Sequence, residues 1–211
     1  MKLQFEQVYS QAANTSRSVL ALFSSFTPHL LEAGVDEVGR GCLAGPVVAA
    51  AVILPKGYTH EQLNDSKQLN KEQRESIKND ILKSALGYAI AEVQAEEIDK
   101  INILNASIKA MHLALDELSL KPELILVDGN RFKPYNFIPY QCVVKGDSKY
   151  ASIAAASVLA KCYRDDLMLR YAKQYPIYQW EQNVGYPTLH HRKTILAHGY
   201  TPLHRLTFKV R

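Results

Sequence analysis

The stretch "EAGVDEVGRGCLAGPVVAAAVILP", Glu32 to Pro55, decides how this chain folds. Its second half, Val47 to Leu54, is apolar without interruption and β-branched at its ends, the pattern of a strand buried on both faces. A strand covered on both sides needs a layer of structure above it and another below. The first half, Ala33 to Val38, reads as a shorter strand that ends in two adjacent acids, Asp36 and Glu37, before Gly39-Arg40-Gly41. Two carboxylates and a glycine-flanked arginine at the mouth of a core strand are costly to place there and call for a chemical reason.

Helical and strand patterns alternate on either side of this stretch. Asn70 is placed to cap a helix over Lys71–Ser84 with Ile77, Ile81 and Leu82 on one side. Gly87–Ala95 alternates as a strand, and Asn105–Leu118 has helical spacing at Ile108, Met111, Leu115 and Leu118. Glu123–Asn130 is a short buried strand ending in an acid and a glycine, and Tyr140–Ser148 repeats that form with Gly146-Asp147. A long helix, rich in Ala and Ser and so able to pack closely, is predicted from Ser148, its N-terminal cap, to about Lys173. Thr188 caps a last helix running to about Ala197. The expected fold class is α/β, in three layers around a mixed central sheet, with a small helical region at the C-terminal end. Residues 1–31 carry no clear start or stop signals.

With 211 residues, 47% hydrophobic and 22% charged, the chain can build one domain with a sizeable core. The cysteines, Cys42, Cys142 and Cys162, form no C-x-x-C pair, so they suggest small buried residues in a reducing cytoplasm. No apolar run reaches the roughly 18 residues of a membrane span, and no cleavable leader is evident. The expectation is a cytoplasmic monomer. The net charge of +4 is unevenly spread: Lys161–Arg211 holds nine Lys/Arg against three Asp/Glu, a distribution suited to phosphate contacts.

Three strands deliver carboxylates at or near their C-terminal ends: Asp36 with Glu37, Asp128, and Asp147. Any one of them alone reads as a turn former or helix cap. Together they repel and require a cation. Oxygen ligands without His or Cys point to a hard ion, Mg²⁺ or Mn²⁺, and two such ions suit in-line phosphoryl displacement. One geometric difficulty stands: neighbours on a regular strand point to opposite faces. Asp36 and Glu37 share a site only if the strand ends, twists or bulges there, and Gly39 favours a bulge. Glycines at 39 and 41 allow close backbone approach, and Arg40 can fork onto a phosphate.

These residues, in this order, resemble the bacterial ribonuclease HII family: "GVDEVGRGCLAGPVVAAAVILP", "NDSKQL", "LILVDGN", "KGDSKYASIAAASVLAK" followed by "YRD", "GYPT" and "GYTPLHRLTF". The resemblance covers about residues 30–208. It implies an RNase H-like fold and hydrolysis of RNA in RNA–DNA hybrids. It also implies incision 5′ of single ribonucleotides in duplex DNA by two metal ions, leaving 3′-hydroxyl and 5′-phosphate ends. It implies metal ligation by Asp36, Glu37, Asp128 and Asp147, reading of the ribose 2′-OH by Gly39, Arg40 and Gly41, a phosphate contact by Lys67, and packing of Tyr186 on the deoxyribose that follows the ribonucleotide. It divides the chain into an N-terminal extension (1–30), a catalytic domain (31–175) and a C-terminal helical region that contributes to substrate binding (176–211). The related ribonuclease HIII reads Gly-Lys-Gly where this chain has Gly39-Arg40-Gly41. One departure is Val184, where the family often has a lysine; Arg192, Lys193 or His191 are the candidates to replace its contact.

The remaining chemistry-bearing residues have plainer readings. Asp165 and Asp166 are expected to pair with Arg164 and Arg170, His191 to be solvated at a helix start, and Trp180 to pack. Two rival functions fit the same residues: a non-catalytic nucleic-acid binder on this scaffold, and an RNase H-like nuclease or recombinase acting on DNA.

Overall fold

In the computed structural model, residues 22–63 and 70–210 are described. Five strands form one mixed sheet: β1 (Glu32–Val38), β2 (Val47–Ile53), β3 (Gly87–Val93), β4 (Leu124–Asp128) and β5 (Tyr140–Val143). Their spatial order is β3-β2-β1-β4-β5. The β1–β2 and β2–β3 pairs are antiparallel, and β4 and β5 add in parallel. The helices are α1 (Lys71–Ser84), α2 (Ala95–Ile101), α3 (Ile103–Asp116), α4 (Ala151–Gln174), α5 (Trp180–Asn183) and α6 (Leu189–His198). Among the described residues no helix is long and apolar enough to cross a membrane.

Strand alternation divides the core. Ala33, Val35, Val47, Ala49 and Ala51 face α2 and α3 through Ile98, Ala106, Ala110 and Met111. Val48, Ala50 and Val52 face α4 and α1 through Ala154, Ala155, Val158, Ile77 and Ile81. All seven residues of β2 are buried, as its unbroken apolar run requires. A smaller cluster gathers the C-terminal helices: Leu43, Ala44, Met168, Tyr178, Trp180 and Ile195.

Asn70 caps α1 in a reciprocal box with Gln73, and Thr188 accepts from the His191 N–H at the start of α6. The expected cap at Ser148 is not there. Ser148 lies in a 3₁₀ turn, Gly146–Ser148, and its hydroxyl donates to the Lys145 carbonyl. α4 starts three residues later, after Tyr150, with no side-chain cap. Its Ala151 N–H donates instead to the Phe23 carbonyl (2.9 Å), while the Phe23 N–H donates to Lys149 (2.7 Å). The described end of the N-terminal extension therefore satisfies a backbone donor that α4 cannot satisfy itself. Helix α2 went unrecognised because its seven residues, AEEIDKI, bury only Ala95 and Ile98, too few to show a period.

Candidate active site

β1 does not bulge. Its register with β2 runs unbroken through Asp36↔Ala50, Glu37↔Ala49 and Val38↔Val48. Alternation therefore stands, and the two acids leave the strand on opposite faces. Asp36 turns toward α4, where the Ser157 hydroxyl bonds to it and the Glu37 N–H donates to Oδ1 (2.7 Å). Glu37 turns toward α3 and accepts from Arg40 (2.9 Å). The expected irregularity at Gly39 comes one residue after the strand.

Three acids meet at the sheet end. Asp36, Asp128 and Asp147 each offer a carboxylate oxygen within 4.8 Å of the other two. Asp128 ends β4, and its Oδ1 accepts from the Gly146 N–H (2.7 Å), which locks the turn bearing Asp147 against β4. Glu37 lies outside this trio. Asp128 and Glu37 both line the larger cleft together with Asp36, and both also line a smaller pocket beside Arg40. The larger cleft holds about 520 Å³ and is walled by Arg74, Ser157, Lys161 and Tyr186.

Burial and crowding set the electrostatics. Asp36 is held well above the usual carboxylate range, first by burial, then by Glu37 and Asp128. Glu37 is raised too, by burial above all and in small part by Asp128, with Arg40 opposing. Burial and like charge thus disfavour the ionised forms of Asp36 and Glu37, a cost that a bound cation would offset.

The two loops above the trio are fixed by buried arginines. Arg164 of α4, expected to pair with an acid, points inward and donates to the carbonyls of Pro46 (3.0 Å), Val184 (2.8 Å) and Ala44 (3.0 Å). Asp165 pairs with Lys161 (2.6 Å) and Asp166 lies near Lys78 (3.8 Å). Arg205 donates to Gly45 and Arg40 carbonyls. Two of the nine basic residues of the tail are thus structural and unavailable to phosphates. Gly39 has φ 92°, and a Cβ there would stand 2.3 Å from Arg164 Nε. Gly41 is different. Among the described residues a Cβ there would meet only Tyr186 Cε1, at 4.0 Å, so no described neighbour demands glycine at that position. Tyr186 is exposed (38%), with its ring beside Gly41 and Cys42. Lys67 lies outside the described residues.

A family model for ribonuclease HII matches residues 33–211. The chain belongs to the ribonuclease HII family. The ribonuclease HII of Bacteroides fragilis is 59% identical over 181 residues, 86% of this chain and 90% of that protein. The ribonuclease H2 structure from Pyrococcus horikoshii OT3 superposes with a TM-score of 0.73 at 25% identity, covering 85% of this chain and 94% of that one. The manganese complex of Bst-RNase HIII gives 0.65 at 19% identity over 99% of this chain and 78% of that one, a likeness of fold. As a ribonuclease HII family member with an RNase H-like fold, the protein is a nuclease and a hydrolase.

Sequence reasoning overlooked three residues of this ribonuclease HII cleft. Ser157 and Lys161 are four apart on α4 and share a face, so their spacing from Arg164 was a readable signal. Arg74 on α1 had none. Of the candidates for the contact missing at Val184, only Lys193 is exposed. Arg192 is partly buried and bonds the Pro187 carbonyl, and His191 is fully buried. Val184 itself sits at φ 41°, ψ 35°, a conformation that strains a β-branched residue.

His191 was expected in solvent and lies instead against buried His204 and Trp180. Burial lowers His204 to about 4, with His191 contributing. The unfolded chain, with His near 6.5, then binds a proton between pH 6.5 and 4 that the folded chain refuses, so stability falls as pH falls through that window. Urea midpoints should drop between pH 7 and pH 5 by the equivalent of about 2 kcal/mol from this group. His204→Asn, which keeps an acceptor for Thr201, should show a shallower drop; an unchanged slope would assign the loss elsewhere.

Proposed function

We propose that the chain hydrolyses the RNA strand of RNA–DNA hybrids and incises 5′ of single ribonucleotides embedded in duplex DNA. The products carry 3′-hydroxyl and 5′-phosphate ends. The observation that carries this reading is the convergence of Asp36, Asp128 and Asp147 beside a cleft lined by Asp36, Glu37, Asp128 and Tyr186, with Gly41 next to the Tyr186 ring. The donor set fits divalent cations: it is all oxygen, suited to Mg²⁺ or Mn²⁺, and the raised Asp36 marks the positive charge it lacks. Asp36, Asp128 and Asp147 would hold these ions, with Glu37, which lines the same cleft, completing the set. When bound, two ions would lower the pKa of the attacking water and neutralise the leaving 3′ oxygen.

The chain's own residues do the rest. The Ser157 hydroxyl and the Glu37 N–H fix the Asp36 carboxylate, and the Gly146 N–H fixes that of Asp128. Water oxygen bonds to phosphorus as the P–O3′ bond breaks, and the departing oxygen takes a proton. The backbone of Gly39, Arg40 and Gly41 reads the 2′-hydroxyl, the group that separates RNA from DNA. The glycine at 41, unneeded by packing, leaves space for that approach. Tyr186 packs on the next deoxyribose, where a further hydroxyl would collide. Lys161 and Arg74 on the cleft wall, and Lys67, draw in phosphates. In this reading residues 31–175 are the catalytic domain and 176–211 the substrate-binding region.

The test is cleavage of a labelled duplex containing one ribonucleotide, with Mg²⁺ and Mn²⁺ compared, beside an all-DNA duplex and a continuous hybrid. Equal cutting of all-DNA duplex would favour a DNA nuclease, and binding without cutting a scaffold protein. Tyr186→Ala should lower incision at the lone ribonucleotide about tenfold, in line with a stacking contact of 1–3 kcal/mol, and lower hybrid cleavage less. Equal loss on both would make the ring structural.

A further inference from the structure

We propose that His191 is the positioning residue for Tyr186, fixed in one tautomer by His204 and Trp180. This rests on the reading of Tyr186 given above and adds the device that holds it.

The proton positions follow from the partners. The Thr201 N–H donates to His204 Nδ1 (2.9 Å). That nitrogen is therefore an acceptor, and the proton of neutral His204 is on Nε2. His204 Nε2 lies 3.1 Å from His191 Nε2, so it donates there. The Trp180 indole, which only donates, reaches the same His191 Nε2 at 3.1 Å. With two donors aimed at it, His191 Nε2 carries no proton. The proton of His191 must sit on Nδ1, and Nδ1 lies 3.0 Å from the Tyr186 carbonyl oxygen. The Thr201 hydroxyl, 3.0 Å from the same His204 Nδ1, is a second donor to it, and the ring protons of both histidines are thereby assigned.

The chain is dry and tightly walled. His191 and Trp180 are fully buried and His204 nearly so. The Tyr178 ring stacks on Trp180 at 5.3 Å and meets His204 edge-on at 4.9 Å, and Tyr200 closes the other side of His204 at 5.6 Å. His190, next in the helix, adds to the burial that disfavours a charge on His191.

The bond matters because of what else holds this loop. The Val184 carbonyl accepts from Arg164 and the Gly185 carbonyl from the Leu43 N–H (2.8 Å). The Tyr186 carbonyl accepts from the Thr188 N–H (2.8 Å) and from His191. The Thr188 bond is local and moves with the loop. The His191 bond ties Tyr186 to the buried C-terminal cluster and, with the Tyr186 N–H bond to the Asn183 carbonyl (2.8 Å) and the side-chain bond to Cys42, sets where its ring stands beside Gly41. Displacements of about 1 Å at a positioning group can cost 10²-fold, so a distant buried pair can govern a surface ring.

The experiment compares kcat/KM on a single-ribonucleotide duplex with kcat/KM on a continuous hybrid for wild type, His191→Phe, His191→Asn and Tyr186→Ala. His191→Phe is expected to lower the ratio about fivefold. His191→Asn, whose Nδ2–H replaces the Nδ1–H, should return it to within about twofold of wild type. A ratio unchanged in His191→Phe, or no better in His191→Asn, while Tyr186→Ala lowers it, overturns the positioning role alone. A ratio unchanged in Tyr186→Ala overturns the reading of Tyr186, and the role of His191 with it. Should His191→Phe fail to fold, ¹⁵N-histidine NMR of the wild-type protein decides: His191 protonated on Nδ1 and His204 on Nε2 is expected, and the opposite tautomer of His191 overturns the proposal.

Discussion

Asp36→Asn is expected to lower cleavage of a single-ribonucleotide duplex by roughly three orders of magnitude, the several kcal/mol that metal charge contributes to such a reaction. It is also expected to leave the metal-free protein as stable as wild type or more so. Both follow from one arrangement. Asp36 is buried at 6% exposure and is held above the usual carboxylate range by that burial, by Glu37 and by Asp128. An amide of the same shape removes a crowded charge and can still take the Glu37 N–H and Ser157 bonds on its oxygen. Wild type should gain melting temperature with added Mg²⁺, since a ligand bound only by the folded state stabilises it; the variant should gain much less. Cleavage and melting with and without Mg²⁺ check this. Wild-type cleavage by the variant would remove Asp36 from the metal site. Loss of stability without metal would show that its charge is satisfied within the protein.

The sequence and the structure differ most where tertiary contacts decide. The sheet was legible because its strands carry their own signals. Val47–Ile53 is apolar throughout, and Leu124–Asp128 is apolar until its final acid, so each marks a buried strand and its end. The mixed α/β layering follows from them, and the neighbours found by superposition share it. The acids at strand ends were legible for the same reason, and three of them meet. The placement of Glu37 was a conflict between two principles, strand alternation against a shared site. Alternation holds along the ladder to β2, which continues through Val38, and at the strand's end Glu37 still lines the same cleft as Asp36. Arg164 and His191 were misread, and Arg205 received no reading of its own, because polar residues carry no sign of burial in one dimension. Their partners are backbone carbonyls and ring nitrogens that lie far away in sequence, such as Pro46 for Arg164 and Gly45 for Arg205. The start of α4 was misplaced for a related reason: its first donor, the Ala151 N–H, is taken by Phe23, more than a hundred residues earlier.

Gly34→Ala should be the most destabilising single methyl in the sheet. Gly34 sits mid-strand in β1, opposite Val52 on one side and Leu126 on the other, with α4 across its face. A Cβ there would lie 2.2 Å from the carbonyl carbon of Ser152, 2.4 Å from the Ile153 nitrogen and 2.5 Å from the Ser152 oxygen. These are backbone atoms and cannot rotate away, so α4 must lift. Lifting it loosens the packing of Ala154, Ala155 and Val158 on β2 and carries Ser157 and Arg164 away from Asp36 and the loop carbonyls they hold. Overpacking costs 1–3 kcal/mol where side chains can yield; against rigid backbone the expected loss is about 3 kcal/mol or more, a large share of a total near 5–15 kcal/mol. Gly41→Ala is the matched control. The added methyl meets only Tyr186 among the described residues, so the unfolding free energy should stay within about 0.5 kcal/mol of wild type, while cleavage should fall under the proposed reading of Gly41 as a contact to the ribose. Denaturation and cleavage of the two variants thus separate a glycine required by the fold from one required by the reaction. Equal stability of Gly34→Ala and wild type would mean that α4 does not rest on β1 as described, and the alignment of Ser157 with Asp36 would need another cause.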